Sequence, residues 1–459
     1  MFYALTSTNQ YLEDNSVIDR LASMFRIADL RKKILFTLLI IVIYRVGSFV
    51  ILPFVDYGVV QDTLGNNDIF SKQGGGLLNY FALLAGGGLR NLAVFALGIM
   101  PYITASIIMQ LLGEVIPKIK AWQQEGPDGQ KKVTQTTRYV TMLLALLQSS
   151  VLVYQLNKGQ LYGQSFQTAD KTTVTSFLVK NMTTPKFLFM ILTLVAGTAL
   201  LMWLGELITQ KGIGNGMSIL IFASVASSVP FQFAAVWTEG GTYKFWVIAT
   251  MGVAMIAGVV FIESGQRRIP VQFAKRVVGR KMMGGQSTYI PIKVNTAGVV
   301  PVIFAQSLLL FPALVAGLVD NKGLRDFVDT HFINGQSWWY LLVEVTLILA
   351  FAYFYTYIAF NPTQQADIIR KQGGYIPGIK PGQETERYLA RIVNRITLPG
   401  AMTIAAIAGL PIVVTILWNI SQFPFGGVSM LILVGVALET MKQIDAQMSL
   451  RNYEGFLSK

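Results

Sequence analysis

The chain has 459 residues, of which 53% are hydrophobic and only 13% are charged, whereas about a quarter of the residues in a typical soluble protein are charged. Its 37 Lys and Arg residues exceed its 24 Asp and Glu residues, which gives a net charge of +13. These values exclude a disordered chain and an ordinary soluble enzyme, and the absence of cysteine excludes a disulfide scaffold. The composition predicts an all-α polytopic membrane protein.

The apolar stretches predict ten membrane-spanning helices, since a helix needs about 20 apolar residues to cross the hydrocarbon core. Residues 1–33 form a polar segment that ends in a basic run and lacks the apolar core of a signal peptide. Residues 446–459 form a polar tail after the last span. The spans predicted in chain order are 34–52, 92–112, 138–156, 187–205, 217–237, 245–262, 297–319, 338–360, 396–418 and 428–445.

Basic residues concentrate in alternate connections between these spans. If both termini are inside, the cytoplasmic segments carry 27 of the 37 Lys and Arg residues and the external segments carry 9, while Arg45 lies within the first span. This excess predicts that both termini are cytoplasmic. The cytoplasmic loops 263–296 and 361–395 are longer than a helix connection requires, which is typical of a functional element. We expect them to project into the cytosol as two fingers.

Two glycine triplets flank a short apolar segment ahead of the second span. Residues 74–76 and 86–88 bracket the nine residues 77–85, which are too few to cross a membrane. Because this segment lies on the predicted external side between flexible glycines, it is interpreted as a movable element within a cavity. A static re-entrant helix is the alternative.

A short internal repeat predicts two related halves. The sequence G-I-M-P-Y-I at 98–103 in the second span matches G-V-V-P-V-I at 298–303 in the seventh. Each would be the second helix of a five-helix half, with the halves at 34–237 and 238–445. Because five is an odd number, the second half would be inverted relative to the first, an arrangement that many membrane proteins use.

Groups that could perform catalysis are scarce. The single histidine, His331, has no Cys or second His with which to share a metal ion, and the phosphate-binding pattern G-x-x-x-x-G-K-S/T does not occur. We therefore expect no cofactor, no metal and no enzymatic activity. Arg45 is interpreted as bonded to backbone carbonyls or snorkelling. Glu344 is the other charge well inside a span, and no Asp/Glu/His relay for proton transport is evident.

Several motifs, in chain order over about residues 30–445, resemble the SecY family of protein-conducting channels. Residues 157–186 and the first 15 or so carry no such motif. The matching motifs are F-A-L-G-I-M-P-Y-I-T-A-S-I-I at 95–108, M-W-L-G-E at 202–206, G-I-G-N-G at 212–216, G-Q-R-R-I at 265–269, Q-S-T at 286–288, K-V-N at 293–295, F-N-P at 360–362 and P-G-I-K-P-G at 377–382.

The resemblance implies a fold and a function. The fold would have ten transmembrane helices in two inverted five-helix halves around an hourglass pore, with a plug within 74–88 and a gate between helices two/three and seven/eight. Such a channel passively translocates unfolded polypeptides and releases hydrophobic segments into lipid. The implied location is the plasma membrane, with a plastid membrane as the minor alternative. The implied partners are SecE, SecG, the SecA ATPase, the ribosome with its rRNA, signal peptides, nascent unfolded polypeptides and the lipid bilayer.

Carried over motif by motif, the resemblance also implies site residues. The pore ring would be Ile99, Ile103, Met217, Ile221, Ile303 and Ile432. The plug would be Leu77, Leu78, Asn79, Tyr80, Phe81, Ala82, Leu83 and Leu84. The lateral gate would include Gln110 and Asn295. The loops that bind SecA or the ribosome would present Arg267, Arg268, Lys275, Arg276, Arg280, Lys281, Arg370, Lys371 and Lys380.

A ring of flexible aliphatic side chains excludes water and ions by dewetting and offers a sliding peptide no hydrogen bonds. Ordinary helix packing is the alternative for each ring position. Met217 departs from the expected Ile or Val, although a flexible thioether suits a deformable seal. Lys380 replaces the usual Arg of the family, which keeps the charge but loses the planar fork, so the role of position 380 stays open.

Two other classes of protein compete with this interpretation. A secondary transporter with inverted repeats would need a polar substrate site at the membrane midplane, and the apolar ring candidates argue against one. A structural membrane scaffold would leave the glycine-flanked segment and the long basic loops unexplained.

Overall fold

The structure, a computed structural model, describes residues 27–65, 82, 84–161, 164–165, 174–179, 182–273, 276–278, 281–283, 287–318, 322–333, 337–418 and 426–457. Its helices are α1 (Ala28–Gly47), α2 (Tyr57–Val60), α3 (Met100–Val115), α4 (Pro117–Gln124), α5 (Pro127–Asn157), α6 (Thr184–Lys211), α7 (Gly216–Ser264), α8 (Val300–Leu318), α9 (Lys322–Val328), α10 (Trp338–Ala359), α11 (Pro362–Lys371), α12 (Gln383–Trp418) and α13 (Gly427–Leu457). Two π-helical turns are Gln61–Gly65 and Asp329–Ile333.

Seven short strands complete the described secondary structure. They are β1 (Gln160–Leu161), β2 (Gln164–Ser165), β3 (Gln266–Phe273), β4 (Arg276–Val278), β5 (Lys281–Met283), β6 (Ser287–Lys293) and β7 (Gly374–Tyr375). The pairs β1–β2 and β4–β5 are antiparallel hairpins, while β6, β3 and β7 form one three-stranded sheet in that order.

Six described helices are long and apolar enough to cross a membrane, or seven if the bent pair α3 and α4 counts as one span. Ten spans were predicted. The first, fifth and seventh of these correspond to described helices that are not among the seven. Helix α1 begins with the basic run Arg31, Lys32 and Lys33, and the apolar stretches Gly216–Pro230 and Val300–Leu309 are short. Apolar helices in this number make the chain a multi-pass membrane protein.

The second span begins later than the sequence predicts. Helix α3 starts at Met100 instead of residue 92, and the described residues before it form turns. Leu92 has φ 45° and Gly98 has φ 56°, and such left-handed conformations interrupt a right-handed helix. A side chain at Gly98 would put its Cβ 2.8 Å from the Cα of Ala85. The close approach of residues 84–85 therefore requires glycine there.

Helix α7 joins two predicted spans into one run of 49 residues. The interruption is Gly241, with φ 68° and ψ 172°, a conformation outside the helical region. It falls within the predicted connection between spans five and six. Phe245 packs edge-to-face on Trp237 across this break, with ring centroids 4.9 Å apart.

The connections segregate to two ends of the bundle. At one end, Leu30 before the apolar part of α1, Ile213 between α6 and α7, and Ile444 of α13 form an apolar cluster, and Lys33 Nζ donates to Gln447 Oε1 at 3.3 Å. At the other end, isolated β-bridges join Ile51 to Ala93 and Val55 to Leu178. Residues in or next to the predicted cytoplasmic segments thus meet at the first end, and residues in or next to the predicted external segments meet at the second.

The two long basic loops form one packed unit, whereas two fingers were predicted. Strand β3 of the first loop pairs with β6 of the same loop and with β7 of the second. Alternate residues of β3 point into a shared apolar cluster, as expected for a sheet with one covered face. We call this the basic-loop unit; its buried residues are Ile269, Val271, Ile292, Ile369, Ile376, Leu389, Ile392 and Val393.

Candidate functional site

The six residues predicted to form the pore ring lie on or next to four helices. All belong to one continuous apolar cluster, and five of them are at most 9% exposed, while Ile303 is half-buried. Helix α3 contacts α8, and α7 contacts α13. The predicted ring residues are Ile99 just before α3, Ile103 of α3, Met217 and Ile221 of α7, Ile303 of α8 and Ile432 of α13.

The motif G-I-G-N-G at 212–216 sets the position of Met217. Asn215 Oδ1 accepts the backbone N–H of Met217 at 3.1 Å and also that of the following residue, so it caps the first turn of α7. A Cβ on Gly216 would collide with the carbonyl oxygen of Gly205, and Met217 Sδ lies over Gly205 as well. The motif is therefore a tight capping turn that seats α7 against α6.

The end of the predicted plug packs against the start of the second span. Ala82 and Leu84 are at most 2% exposed; the other predicted plug residues, Leu77, Leu78, Asn79, Tyr80, Phe81 and Leu83, lie outside the described residues. The next residue but one, Gly86, has φ 60°, and its carbonyl oxygen accepts a hydrogen bond from Arg45 Nη1. The interpretation of Arg45 as a side chain bonded to a backbone carbonyl is confirmed.

The two predicted gate residues make different contacts. Gln110 lies on α3, and its side-chain oxygen is buried without a hydrogen-bond partner among the described groups. Asn295 Nδ2 donates to Glu263 Oε2 at 2.9 Å and to the carbonyl oxygen of Gly298 at 3.2 Å. Asn295 therefore ties the end of α7 to the start of α8, and the described hydrogen bonds do not join it to Gln110.

Basic side chains cover the basic-loop unit. Arg267 and Arg268 at the start of β3 are exposed, as are Arg370 and Lys371 at the end of α11 and Lys380 in the turn before α12. For Arg276 and Lys281 the structure describes only the strands β4 and β5 that carry them, and Lys275 and Arg280 lie outside the described residues. The sheet thus brings cations of both predicted loops into one surface.

Comparison with known proteins places the chain in a family. The family model SecY matches residues 93–441. The chain belongs to the SecY family. Among curated relatives, the Protein translocase subunit SecY of Streptomyces galbus is 48% identical over 446 residues, which cover 95% of this chain and 99% of the relative. The protein of the same name from Mycobacterium tuberculosis is 44% identical over 447 residues, covering 95% and 98%.

Solved structures show the same fold at lower identity. A structure described as a protein-conducting channel matches with a TM-score of 0.59 and 17% identity, covering 91% of this chain and 92% of that one. Sec61 in the canine ribosome-channel complex matches with a TM-score of 0.56 and 15% identity, with the same coverage. The described helices of this SecY-family chain therefore take up the fold of these channels.

Sequence reasoning missed two polar contacts within this SecY-family bundle. Arg138 of α5 holds Glu206 of α6 in a two-pronged ion pair, with N···O distances of 2.7 and 2.6 Å. Gln306 of α8 donates to Glu344 of α10 at 2.6 Å. The sequence marks the charges at Arg138, Glu206 and Glu344, but pairing them requires knowing which helices are neighbours.

The Gly216–Gly205 approach yields a stability prediction for this SecY-family chain. Gly216→Ala should destabilise the turn between α6 and α7 by about 1–3 kcal/mol, because overpacking forces the backbone to shift. Thermal unfolding of the purified protein in detergent measures this. The matched control is Gly258→Ala on the same helix, where an added Cβ meets no atom within 4 Å and helix propensity favours alanine. Equal melting temperatures for the two variants would contradict the close packing.

Proposed function

We propose that this chain is the central, pore-forming subunit of a protein translocase. It is a passive channel that passes unfolded polypeptides across the plasma membrane and releases hydrophobic segments sideways into lipid. The observation that carries this proposal is the near full-length match to relatives named Protein translocase subunit SecY, at 44–48% identity. The chain itself performs no catalytic step, so a partner supplies the energy.

The proposed architecture has ten helices in two inverted halves, 34–237 and 238–445, followed by the cytoplasmic tail 446–459. Local geometry supports the repeat. Gly98 and Gly298 have φ of 56° and 61°, and helices α3 and α8 each begin two residues later. The backbone N–H of Ile103 bonds to the carbonyl of Ile99, and that of Ile303 bonds to the carbonyl of Val299. Both halves therefore start their second helix in the same way.

The resting channel is sealed by the ring and the plug. The ring residues are aliphatic and buried in one apolar cluster, so water between them would lack hydrogen-bond partners and the constriction would be dry. The plug within 74–88 lies on the external side of the ring. The contact of Arg45 with Gly86 supports this placement, because it fastens the C-terminal end of that segment to α1.

The lateral gate opens between helices two/three and seven/eight, which here are α3, α5, α8 and α10. Gln110 lies on α3, one of these helices, and its amide oxygen is buried without a partner among the described groups. A buried polar group without a partner raises the free energy of the closed state. Asn295 bonds to Glu263 and so orients the start of α8. The closed gate is thus poised to part when a hydrophobic segment enters.

The basic-loop unit is the cytoplasmic docking surface for SecA or a ribosome, and SecE and SecG complete the channel. Both termini lie on the same side, which the contact between Lys33 and Gln447 supports. Among the matched structures, Sec61 is described in a ribosome-channel complex and the yeast Ssh1 complex is described as bound to the 80S ribosome. A cationic surface suits rRNA, whose phosphates attract Lys and Arg.

Reconstitution tests this function directly. The chain is assembled with SecE in liposomes, and SecA, ATP and an unfolded preprotein are added. We expect the preprotein to become protected from external protease only when ATP is present. Liposomes that lack the chain are the control. Uptake of small solutes without protection of the preprotein would favour the secondary transporter and would overturn the proposal.

Charge reversal tests the docking surface. The variant R267E/R268E should bind ribosomes at least several-fold more weakly, with a reduced salt slope, because fewer phosphate counterions are released. Equilibrium binding of ribosomes to proteoliposomes at a series of salt concentrations measures this. The matched control is K131E/K132E, two exposed lysines on the same predicted side but outside the basic-loop unit. Unchanged ribosome affinity, or inverted topology of the flanking helices, would mean that Arg267 and Arg268 only hold their loop on the cytoplasmic side.

A further inference from the structure

A buried polar cluster links α8 to α10 inside the second half. Gln306 Nε2 donates to Glu344 Oε1 at 2.6 Å, and the hydroxyl of Tyr340 donates to Gln306 Oε1 at 3.4 Å. Tyr340 and Glu344 lie one helical turn apart on α10, so Gln306 sits between them. All three side chains are at most 4% exposed.

Glu344 has no charged group to balance it among the described residues around it. It lies six residues, about 9 Å, from the first residue of α10. The neighbouring helix α8 carries no ionisable side chain, and those of α12 lie in its first 13 residues, before the apolar part. The π-helical turn packed on the start of α10 includes Asp329 and His331, and the His331 ring stacks on Phe327, with ring centroids 4.5 Å apart.

The surroundings of the second carboxyl oxygen of Glu344, Oε2, indicate which protonation state the side chain has. Oε2 is fully buried and has no hydrogen-bond partner among the groups that the structure describes. An ionised carboxylate in this setting would lack both a cation and hydrogen-bond donors for Oε2, which is a severe solvation cost. Protonation at Oε2 removes the charge and leaves Oε1 free to accept the bond from Gln306.

We infer that Glu344 is a neutral carboxylic acid that fastens α8 to α10 through Gln306 and thereby positions Ile303 in the pore ring. Gln306 follows Ile303 by three residues and so lies next to it along one side of α8. With Gln306 held, the ring residue of α8 moves only together with α10. Glu344 is thus a positioning residue, and its effect on the ring rests on the proposed channel function.

The protonation state has its own test, independent of transport. Infrared spectra of the purified protein, in D2O and in a detergent without ester groups, are recorded for wild type and for Glu344→Gln. The difference spectrum should contain the C=O band of one protonated carboxyl group at neutral pH. A carboxylate band in its place would overturn the neutral state whatever the channel does.

The positioning role is tested by ion conductance of the resting channel in proteoliposomes. Glu344→Leu should raise the leak roughly three- to tenfold, because the variant loses one hydrogen bond and a change in free energy of that size alters a rate by about this factor. Gln306→Leu should raise it further, because it strands the carboxyl group without a partner. The double variant Q306L/E344L should leak less than Gln306→Leu alone, since replacing both partners removes the stranded group.

Glu344→Gln is the conservative variant that separates positioning from general damage. Its amide accepts from Gln306 as the acid does, so we expect wild-type leak and wild-type translocation of a preprotein. Wild-type leak in both leucine variants, or additive leaks in the double variant, would overturn the positioning role. Preprotein translocation by the wild type, measured in parallel, shows whether the channel function on which the role rests has itself failed.

Discussion

Replacing Ile103 and Ile303 together by serine is expected to abolish the seal of the resting channel. Each aliphatic side chain resists hydration by about 1.5–3 kcal/mol. Since about 1.4 kcal/mol corresponds to a tenfold change in rate, the two losses together should make the I103S/I303S variant leak ions at least roughly 100-fold faster than wild type. Single-channel conductance in planar bilayers, without SecA or a substrate, measures the effect.

The control for this variant is Ile107→Ser. Ile107 lies one turn beyond Ile103 on α3 and packs against the same apolar cluster, but it is outside the proposed ring. We expect its leak to stay near the wild-type value. A similar leak from Ile107→Ser and I103S/I303S would mean that the barrier is spread along the bundle, which would contradict a ring of single-residue height.

The sequence predicts the long apolar helices well, because each carries its own signal. Helices α5, α6, α10 and α12 account for four of the predicted spans, and α5, α6 and α12 also extend into polar residues that hydropathy does not count. The two glycines of the short sequence repeat, Gly98 and Gly298, both adopt the left-handed conformation that glycine allows, while the two inverted halves stay a prediction. For Arg45 the sequence left two alternatives, a bond to backbone carbonyls or snorkelling, because an isolated cation in a span has few others, and the structure shows the bond to a carbonyl.

Features that depend on distant partners were not predictable. The second span was predicted to start at 92, because the apolar residues 92–99 resemble the start of a helix in sequence. In the structure Leu92 and Gly98 adopt positive φ, which prevents a helix there. The single basic-loop unit escaped prediction because β3 and β7 are far apart in sequence: the hydroxyl of Tyr375 bonds to Gln272, 103 residues earlier. Strand pairing at such separation leaves no local pattern.

Because the two loops share one apolar cluster, we expect the proposed docking surface to depend on Leu389. Leu389 is 0% exposed and belongs to the cluster beneath β3. Leu389→Ala should destabilise the basic-loop unit by about 2–5 kcal/mol, the usual cost of a cavity in a packed core. Both SecA-dependent translocation and ribosome binding should fall together, because the proposed docking surface is the same for both partners.

Limited proteolysis, together with the translocation and ribosome-binding assays, distinguishes loss of the whole unit from a local effect. In Leu389→Ala, protease should cut both loops, 263–296 and 361–395, faster than in wild type, since each holds the other in place. The control is Leu398→Ala on the same helix, a leucine that is 49% exposed and should tolerate truncation. If only the loop nearest Leu389 became sensitive, the loops would behave as the two independent fingers that the sequence predicts. Sensitivity of both, with membrane insertion intact, is what a single cooperative unit requires, because its apolar cluster draws on both loops.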